Sequence, residues 1–180
     1  MISLGKMKGQ AWVFEEGPLD VDWEICAFEL LRELRAKGID TNYEELGKYC
    51  MVNVDPDFPK KVQKGDFLVA GENMGYGHDH DHACISIKGS GVGAIICEST
   101  NANFLRNSFD HGLAIVEIPD VLKKVHQGDN LELDMAAGTL KNLTTEEEIS
   151  FAPVPDFLID QIQSGGLYQY LAGQIKAGKA

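Results

Sequence analysis

Three histidines alternate with two aspartates in one short segment of the chain, His78-Asp79-His80-Asp81-His82. Histidine exchanges protons near neutral pH and is a common metal ligand, and an aspartate can orient or charge an imidazole. The glycine-rich stretch Gly71-Glu-Asn-Met-Gly75-Tyr-Gly77 comes just before it. Backbone amides in a loop that leads into a helix favour negative groups, so the segment predicts a site for a carboxylate or a phosphate.

Alternating strands and helices flank this loop and indicate parallel β-α-β construction. We predict strands at residues 10–14, 67–70, 94–97 and 114–118 and helices at 24–36, 41–51, 83–88 and 101–108. Near the C-terminal end, residues 131–135 and 139–143 predict a hairpin and 155–162 predict a closing helix. We expect one α/β domain over residues 1–180, in which 172–180 form a flexible tail.

The composition excludes several classes of function. The net charge of −12 and the lack of a basic run argue against binding to a nucleic acid. No apolar stretch approaches the roughly 20 residues that cross a bilayer, so no membrane is expected. The four cysteines show no C-x-x-C pair or metal-finger spacing, which fits a reduced, cytoplasmic protein. Cys84 and Cys97 lie in apolar runs and are expected to be buried.

The loop resembles a motif of the aconitase superfamily, whose swivelling domain carries G-x-N-[FY]-G-x-G-S-S-R-E-H-A ahead of a helix. The matching positions are Gly71, Asn73, Gly75, Gly77, His82 and Ala83. Residues 18–22, 55–59, 99–113, 141–144 and 155–171 are also similar to small subunits of 3-isopropylmalate dehydratase. The resemblance covers nearly the whole chain and implies a swivelling domain with a layered β/β/α arrangement, a mixed sheet and a C-terminal hairpin plus helix.

This resemblance implies the small subunit of a two-chain hydro-lyase, which reversibly removes water from a malate-type branched hydroxy dicarboxylate. In that family a large subunit carries a [4Fe-4S] cluster whose open iron binds the substrate. The cysteines of this chain are not spaced to hold such a cluster alone. We therefore expect a cluster-bearing partner chain, and homodimerisation of this chain is an open alternative.

The loop also departs from the family in ways that change its chemistry. His78 stands where the family has a serine base, and His80 where it has the arginine that binds a substrate carboxylate. Asp81 replaces a glutamate, and Ala102 replaces a second arginine. Histidine is a more conventional base than serine, so His78 is the candidate base. His80 lacks the bidentate fork of arginine, which favours a differently substituted substrate such as a methylated malate.

The predicted site has two catalytic residues and seven substrate-binding residues. The catalytic residues are His78 and His80, and the substrate-binding residues are Gly75, Gly77, Asp79, Asp81, His82, Asp20 and Asp22. Asp79 and Asp81 are expected to orient and charge the histidines or to lie beside a cation. Asp20 and Asp22 position the loop, line the cleft between the subunits or are simple turn residues. Arg32 or Arg35 is the candidate to replace the lost arginine, and Arg106 is expected to pack.

A non-catalytic module derived from the same fold is the competing interpretation. In that case the three histidines, spaced two residues apart, bind a divalent cation. We predict no metal ion in the site, because the loop turns into a helix and breaks the alternation of the side chains. Tight zinc binding by a protein without a cluster-bearing partner would favour the module.

Overall fold

The structure is a computed structural model that describes residues 6–15 and 17–178. In this part of the chain seven strands form one mixed sheet, in the order β4-β3-β2-β1-β5-β6-β7. The strands are β1 (Met7–Phe14), β2 (Phe67–Ala70), β3 (Ala94–Cys97), β4 (Ala114–Glu117), β5 (Asn130–Asp134), β6 (Thr139–Asn142) and β7 (Glu148–Ser150). Strands β1 to β4 are parallel to one another, and β5, β6 and β7 continue from β1 in antiparallel pairs.

Strand β1 joins the parallel and the antiparallel halves of the sheet. Its last four residues pair with β2, and its first four pair with β5. In the parallel half, successive side chains belong to two different buried clusters: Leu68 and Ile95 lie in one, and Val69 and Ile96 in the other. Both faces of this half are therefore covered, as its uninterrupted apolar strands require. These features confirm the predicted α/β fold with a mixed sheet and a C-terminal hairpin.

The described residues also form seven α-helices. They are α1 (Phe28–Ala36), α2 (Tyr43–Gly47), α3 (Phe58–Lys61), α4 (His82–Ser90), α5 (Ala102–Asp110), α6 (Asp156–Ser164) and α7 (Leu167–Lys176). Helix α4 follows the glycine-rich loop, and its residues 82–87 are all buried. None of the helices in the described residues is long and apolar enough to cross a membrane. The predicted order of strands and helices around the loop is confirmed.

The single helix predicted at residues 24–36 is wrong. Residues Val21–Ile25 form a π-helical turn, the chain is extended at Cys26, and α1 begins at Phe28. Asp20 starts the turn, because its side chain accepts a hydrogen bond from the backbone N–H of Asp22. The break places Ile25 in the core beside the sheet and leaves the buried residues of α1 in a separate cluster.

The other boundary errors lie outside the parallel half. The helix predicted at 41–51 is only α2, which begins where the Asn42 side chain accepts a hydrogen bond from Glu45 N–H. Strand β7 was not predicted. Residues 172–176 of the predicted tail belong to α7, and residues 179 and 180 lie outside the described residues. Helix α7 buries none of its residues, so no core-facing pattern marked it in the sequence.

Candidate active site

The glycine-rich loop between β2 and α4 is held on both sides by main-chain hydrogen bonds. Residues 74–76 lie between residues 19–21 and residues 99–101, and four bonds of 2.8–3.0 Å connect them. The bridges between Asp20 and Tyr76 and between Met74 and Thr100 are parallel, so the loop continues the direction of the parallel strands. Three segments that resemble the family motifs, around residues 20, 75 and 100, are therefore neighbours in space although they are far apart in sequence.

Two glycines of the loop have conformations and neighbours that a side chain would disturb. Gly75 has a φ of +76°, and a Cβ on it would overlap the ring of Phe104. Its N–H donates to Leu19 O, so this amide is already used within the protein and is not free to hold a substrate carboxylate. We correct its predicted role to a conformational one. Gly77 has a φ of +110°, and a Cβ on it would lie 2.8 Å from Asp20 Oδ2.

The carboxylate of Asp22 brings the loop histidines together. His78 Nδ1 lies 2.9 Å from Asp22 Oδ2, and His80 Nδ1 lies 2.8 Å from Asp22 Oδ1. His82 Nε2 lies 3.4 Å from the same Oδ1 atom. We call these four residues the Asp22 group. We expected a helix to begin within this segment and to turn the three histidine side chains in different directions. Residues 78–81 instead form a loop, and the three rings lie close together.

The three imidazoles of the Asp22 group differ greatly in exposure. The side chain of His78 is 80% exposed, that of His80 is 39% exposed and that of His82 is 3% exposed. The ring of His80 is stacked between the rings of His78 and Phe28, with centroid distances of 5.6 and 5.7 Å. The group therefore passes from solvent at His78 into the protein interior at His82.

His82 is a buried and incompletely satisfied imidazole. Its Nε2 atom lies 3.0 Å from Cys26 O, whereas its Nδ1 atom has no hydrogen-bond partner among the described residues. Burial lowers the pKa of His82 below the usual histidine value, although Cys26 O and the Asp22 carboxylate oppose that shift. A neutral ring keeps one nitrogen lone pair available to a ligand.

The two aspartates of the loop bind partners on the other side. Asp79 accepts hydrogen bonds from Arg106 Nη2 at 3.1 Å and from Asn107 Nδ2 at 2.8 Å. Asp81 Oδ2 lies 3.5 Å from His111 Nε2. We call these five residues the Asp79–Asp81 group. Asp79 and Asp81 therefore do not contact the loop histidines as predicted, and instead connect the loop to α5 and to the residue that follows it.

A cleft of 740 Å³ adjoins both groups. Its polar lining includes Asp79, His80, Asp81, His82, Arg106, Asn107 and His111, together with Arg35, Asp40, Thr41 and Tyr43. Its apolar lining consists of Phe28, Leu31 and Ile85. A smaller cavity, which we call the side cavity, is lined by Asp20, Asp22 and His78 and shares Phe28 and His80 with the cleft. Most of the predicted site residues therefore line one continuous region of the surface.

Sequence reasoning missed several residues of the cleft. Tyr43, whose hydroxyl lies 2.8 Å from His111 Nδ1, and Asn107 were not singled out. Arg106 was expected only to pack, yet it lines the cleft one helical turn after Ala102, where the family has an arginine. The spacing of four residues on one helix was the signal that could have identified Arg106. Of the two other candidate arginines, Arg35 lines the cleft, where it is paired with Asp40 at 3.0 Å.

The cysteines of this chain do not fit an iron–sulfur cluster. All four are free and buried. Burial raises the pKa of the Cys50, Cys84 and Cys97 thiols to about 12 and that of Cys26 to about 11. A cluster needs thiolates gathered at one site, and the group of potential metal ligands found among the described residues contains no cysteine. That group consists of Asp22, His80 and His82.

Comparison with known proteins identifies relatives along nearly the whole chain. Residues 27–121 match the family described as Aconitase C-terminal domain. The chain is 38% identical over 165 residues to the isopropylmalate/citramalate isomerase small subunit of Methanocaldococcus jannaschii, covering 92% of this chain and 93% of that protein. It is 39% identical over 171 residues to the 3-isopropylmalate dehydratase small subunit of Wolinella succinogenes, covering 95% and 96%.

The fold has a solved counterpart as well. The crystal structure of 3-isopropylmalate dehydratase from Methanocaldococcus jannaschii superposes on this chain with a TM-score of 0.84 and 30% sequence identity. The superposition covers 97% of this chain and 99% of that one. Sequence and structure comparisons therefore point to the same group of proteins.

Proposed function

This chain belongs to the Aconitase C-terminal domain family and to the 3-isopropylmalate dehydratase small subunits within it, and we propose that it works in a two-chain hydro-lyase. Its substrate is a malate-type branched hydroxy dicarboxylate, either isopropylmalate-like or a methylated malate. The Methanocaldococcus jannaschii relative is an isopropylmalate/citramalate isomerase small subunit, and citramalate is a methylated malate. The two histidines that replace the serine and arginine of the family motif favour a substrate of this second kind.

The contact between Asp22 and His78 is the observation that carries this proposal. If the Nδ1–H of His78 donates to Asp22 Oδ2 at 2.9 Å, the carboxylate selects one tautomer and one ring orientation. Nε2 is then an unprotonated acceptor on the exposed side of the ring. This is the arrangement that a general base requires. Asp22 thereby acts as a positioning residue, which was one of the roles considered for it from the sequence, and not as a direct contact to the substrate.

In the proposed reaction, His78 Nε2 takes the proton from the substrate carbon next to a carboxylate. The electron pair of that C–H bond forms the new double bond, and the hydroxyl on the neighbouring carbon takes a proton from solvent and leaves as water. His78 then releases the abstracted proton to solvent and is neutral again. When water adds back to the double bond, its hydroxyl can bond to the carbon that lost the proton, and the hydroxyl group has then moved to the neighbouring carbon. His80, stacked on Phe28, is the proposed contact for one carboxylate, and Phe28, Leu31 and Ile85 offer an apolar wall to the alkyl branch.

A large subunit is part of the proposal, because the site is too open to work alone. The side chain of His78 is 80% exposed, so bulk water reaches the proposed base unless another chain covers it. The [4Fe-4S] cluster belongs to that large subunit in our proposal and supplies Lewis-acid chemistry for the hydroxyl group. The residues of this chain supply the base and the carboxylate contacts.

Anaerobic reconstitution with the cluster-bearing large subunit tests the proposal. The complex is assayed for dehydration and hydration of a panel of malates with different branches, using wild-type protein and His78→Ala. We expect turnover of a methylated or isopropyl malate, and a loss of about 100-fold or more in the variant, in the range of one general base. His126→Ala is the control, since His126 is exposed and does not line the cleft. Equal activity of both variants would refute His78 as the base.

A further inference from the structure

The arginines that line the cleft are neutralised by acidic side chains of the same chain. Arg35 is paired with Asp40 at 3.0 Å and Arg106 with Asp79 at 3.1 Å. Asp81 adds a further negative charge to the lining. The whole chain carries a net charge of −12, so the long-range field also opposes an anion. Within this chain, the arginines that line the cleft therefore offer no uncompensated positive charge to a substrate carboxylate, and a bound cation is one way to supply it.

The Asp22 group has the donor atoms and the spacing of a metal site. One atom each of Asp22, His80 and His82 can be chosen so that all three lie within 4.8 Å of one another. The separations from Asp22 Oδ1 are 2.8 Å to His80 Nδ1 and 3.4 Å to His82 Nε2. Two donors bound at about 2.1 Å to one ion lie about 3.0 Å apart at a right angle and about 3.4 Å apart at a tetrahedral angle.

The buried ring of His82 is a second, independent observation. Its side chain is 3% exposed, and its Nδ1 atom has no hydrogen-bond partner among residues 6–15 and 17–178. One ring nitrogen is therefore left without a hydrogen bond in a buried environment, so the ring has a capacity to bind a ligand that the contacts within the fold do not use.

We propose that Asp22, His80 and His82 bind one divalent transition-metal ion. Two imidazoles and one carboxylate suit ions such as Zn²⁺, Co²⁺, Mn²⁺ or Fe²⁺, and a set of three protein ligands leaves coordination positions open. His80 and His82 line the cleft, so an open position can face a ligand there. Resting on the proposed function, we assign that position to a substrate carboxylate. The ion then supplies the positive charge that an arginine supplies in the family motif.

Metal titration of the full-length, tag-free chain tests the site without the large subunit. Protein stripped with a chelator is titrated with Zn²⁺ by calorimetry and with Co²⁺ by visible spectroscopy. We expect one ion per chain and a Co²⁺ spectrum without thiolate charge-transfer bands, because the ligands contain no sulfur. His80→Ala and Asp22→Asn should each weaken metal binding by at least about 100-fold. Loss of a residue that only supports a metal ligand already weakens binding by up to about 100-fold, and loss of a ligand itself should cost at least as much.

His126→Ala is the matched control and should bind as the wild type does, because this exposed histidine lies outside the Asp22 group. The absence of stoichiometric binding in the wild type, or binding that both site variants leave unchanged, would overturn the proposal. If Asp22→Asn does not fold, His80→Ala decides, because His80 is half-exposed at the edge of the cleft. The two proposals can fail separately. If the chain binds one metal ion but the reconstituted complex turns over no malate, the metal site stands and the hydro-lyase function is rejected.

Discussion

The Asp22 group and the Asp79–Asp81 group use their carboxylates in different ways. In the Asp22 group, one carboxylate is approached by three imidazoles, and nitrogen atoms are left over on both the exposed and the buried rings. In the Asp79–Asp81 group, each carboxylate has its own partners from α5 or from His111. The first group keeps free nitrogens for protons and ligands. The second connects the loop to α5 and to His111.

The largest expected effect comes from Asp22→Asn. An amide cannot accept a hydrogen bond from both imidazoles in the way the carboxylate does, so the rings lose their shared anchor. We expect kcat of the reconstituted complex to fall about 100-fold, equivalent to about 2.7 kcal/mol, and KM to rise because the ion proposed to hold a substrate carboxylate is lost as well. Steady-state kinetics measure both constants.

The control for that variant is Asp57→Asn. Asp57 also accepts hydrogen bonds from two side chains, those of Lys60 and Lys61, but it does not line the cleft. It should retain wild-type kcat. If the two variants behave alike, the Asp22 group has no special role and the contrast between the two groups fails.

The second-largest effect is expected in the Asp79–Asp81 group, on stability. Asn107 is buried and donates to Asp79 Oδ1 at 2.8 Å. Asn107→Ala should lower the free energy of unfolding by about 1.5 kcal/mol, because a charge-assisted hydrogen bond is lost. Urea denaturation measures the change. Asn103→Ala is the control, because Asn103 is at an exposed position of the same helix. This variant gains the same helix propensity but loses no buried hydrogen bond. An equal change in the free energy of unfolding for both variants would contradict the prediction.

A smaller effect is expected for Tyr43→Phe. The variant removes the hydroxyl that lies 2.8 Å from His111 Nδ1 and so loosens the ring that approaches Asp81. The free energy of unfolding should fall by about 1 kcal/mol, the value of an ordinary hydrogen bond. Tyr168→Phe serves as the reference because Tyr168 is 82% exposed on α7. A loss no greater than that of Tyr168→Phe in thermal unfolding would show that His111 needs no anchor.

The smallest effect is expected for Arg106→Gln. The pair of Arg106 and Asp79 is partly open to solvent, with the two side chains 61% and 46% exposed. Exposed ion pairs contribute little, so the free energy of unfolding should change by at most about 0.5 kcal/mol. Lys123→Gln, which removes the exposed pair with Asp120, should give a similar value. A loss above about 1 kcal/mol for Arg106→Gln alone would mark this pair as a true anchor of the loop.

Local sequence patterns predicted the parallel half of the sheet better than the connections outside it. The bounds of β2 and β3 match the prediction, because short apolar runs between turn residues indicate buried strands. The helix predicted at 24–36 merged two elements, since its apolar spacing continued across Cys26 while the backbone at that residue is extended. Periodicity reports which residues face a core but not whether they face the same one, and here Ile25 and Leu31 face different clusters.

By itself the sequence determined the glycine-rich loop, the residue types in it, the fold and the family resemblance, because all of these depend on neighbouring residues and on motif order. Only the tertiary structure decided which acids meet which bases. Asp22 lies 56 residues before His78 and Asp79 lies 28 residues before Asn107, so their contacts depend on how the strands bring the chain together. The spacing along the chain suggested that Asp79 and Asp81 serve the histidines, whereas the loop turns these two side chains to α5 and His111 and leaves the histidines to Asp22.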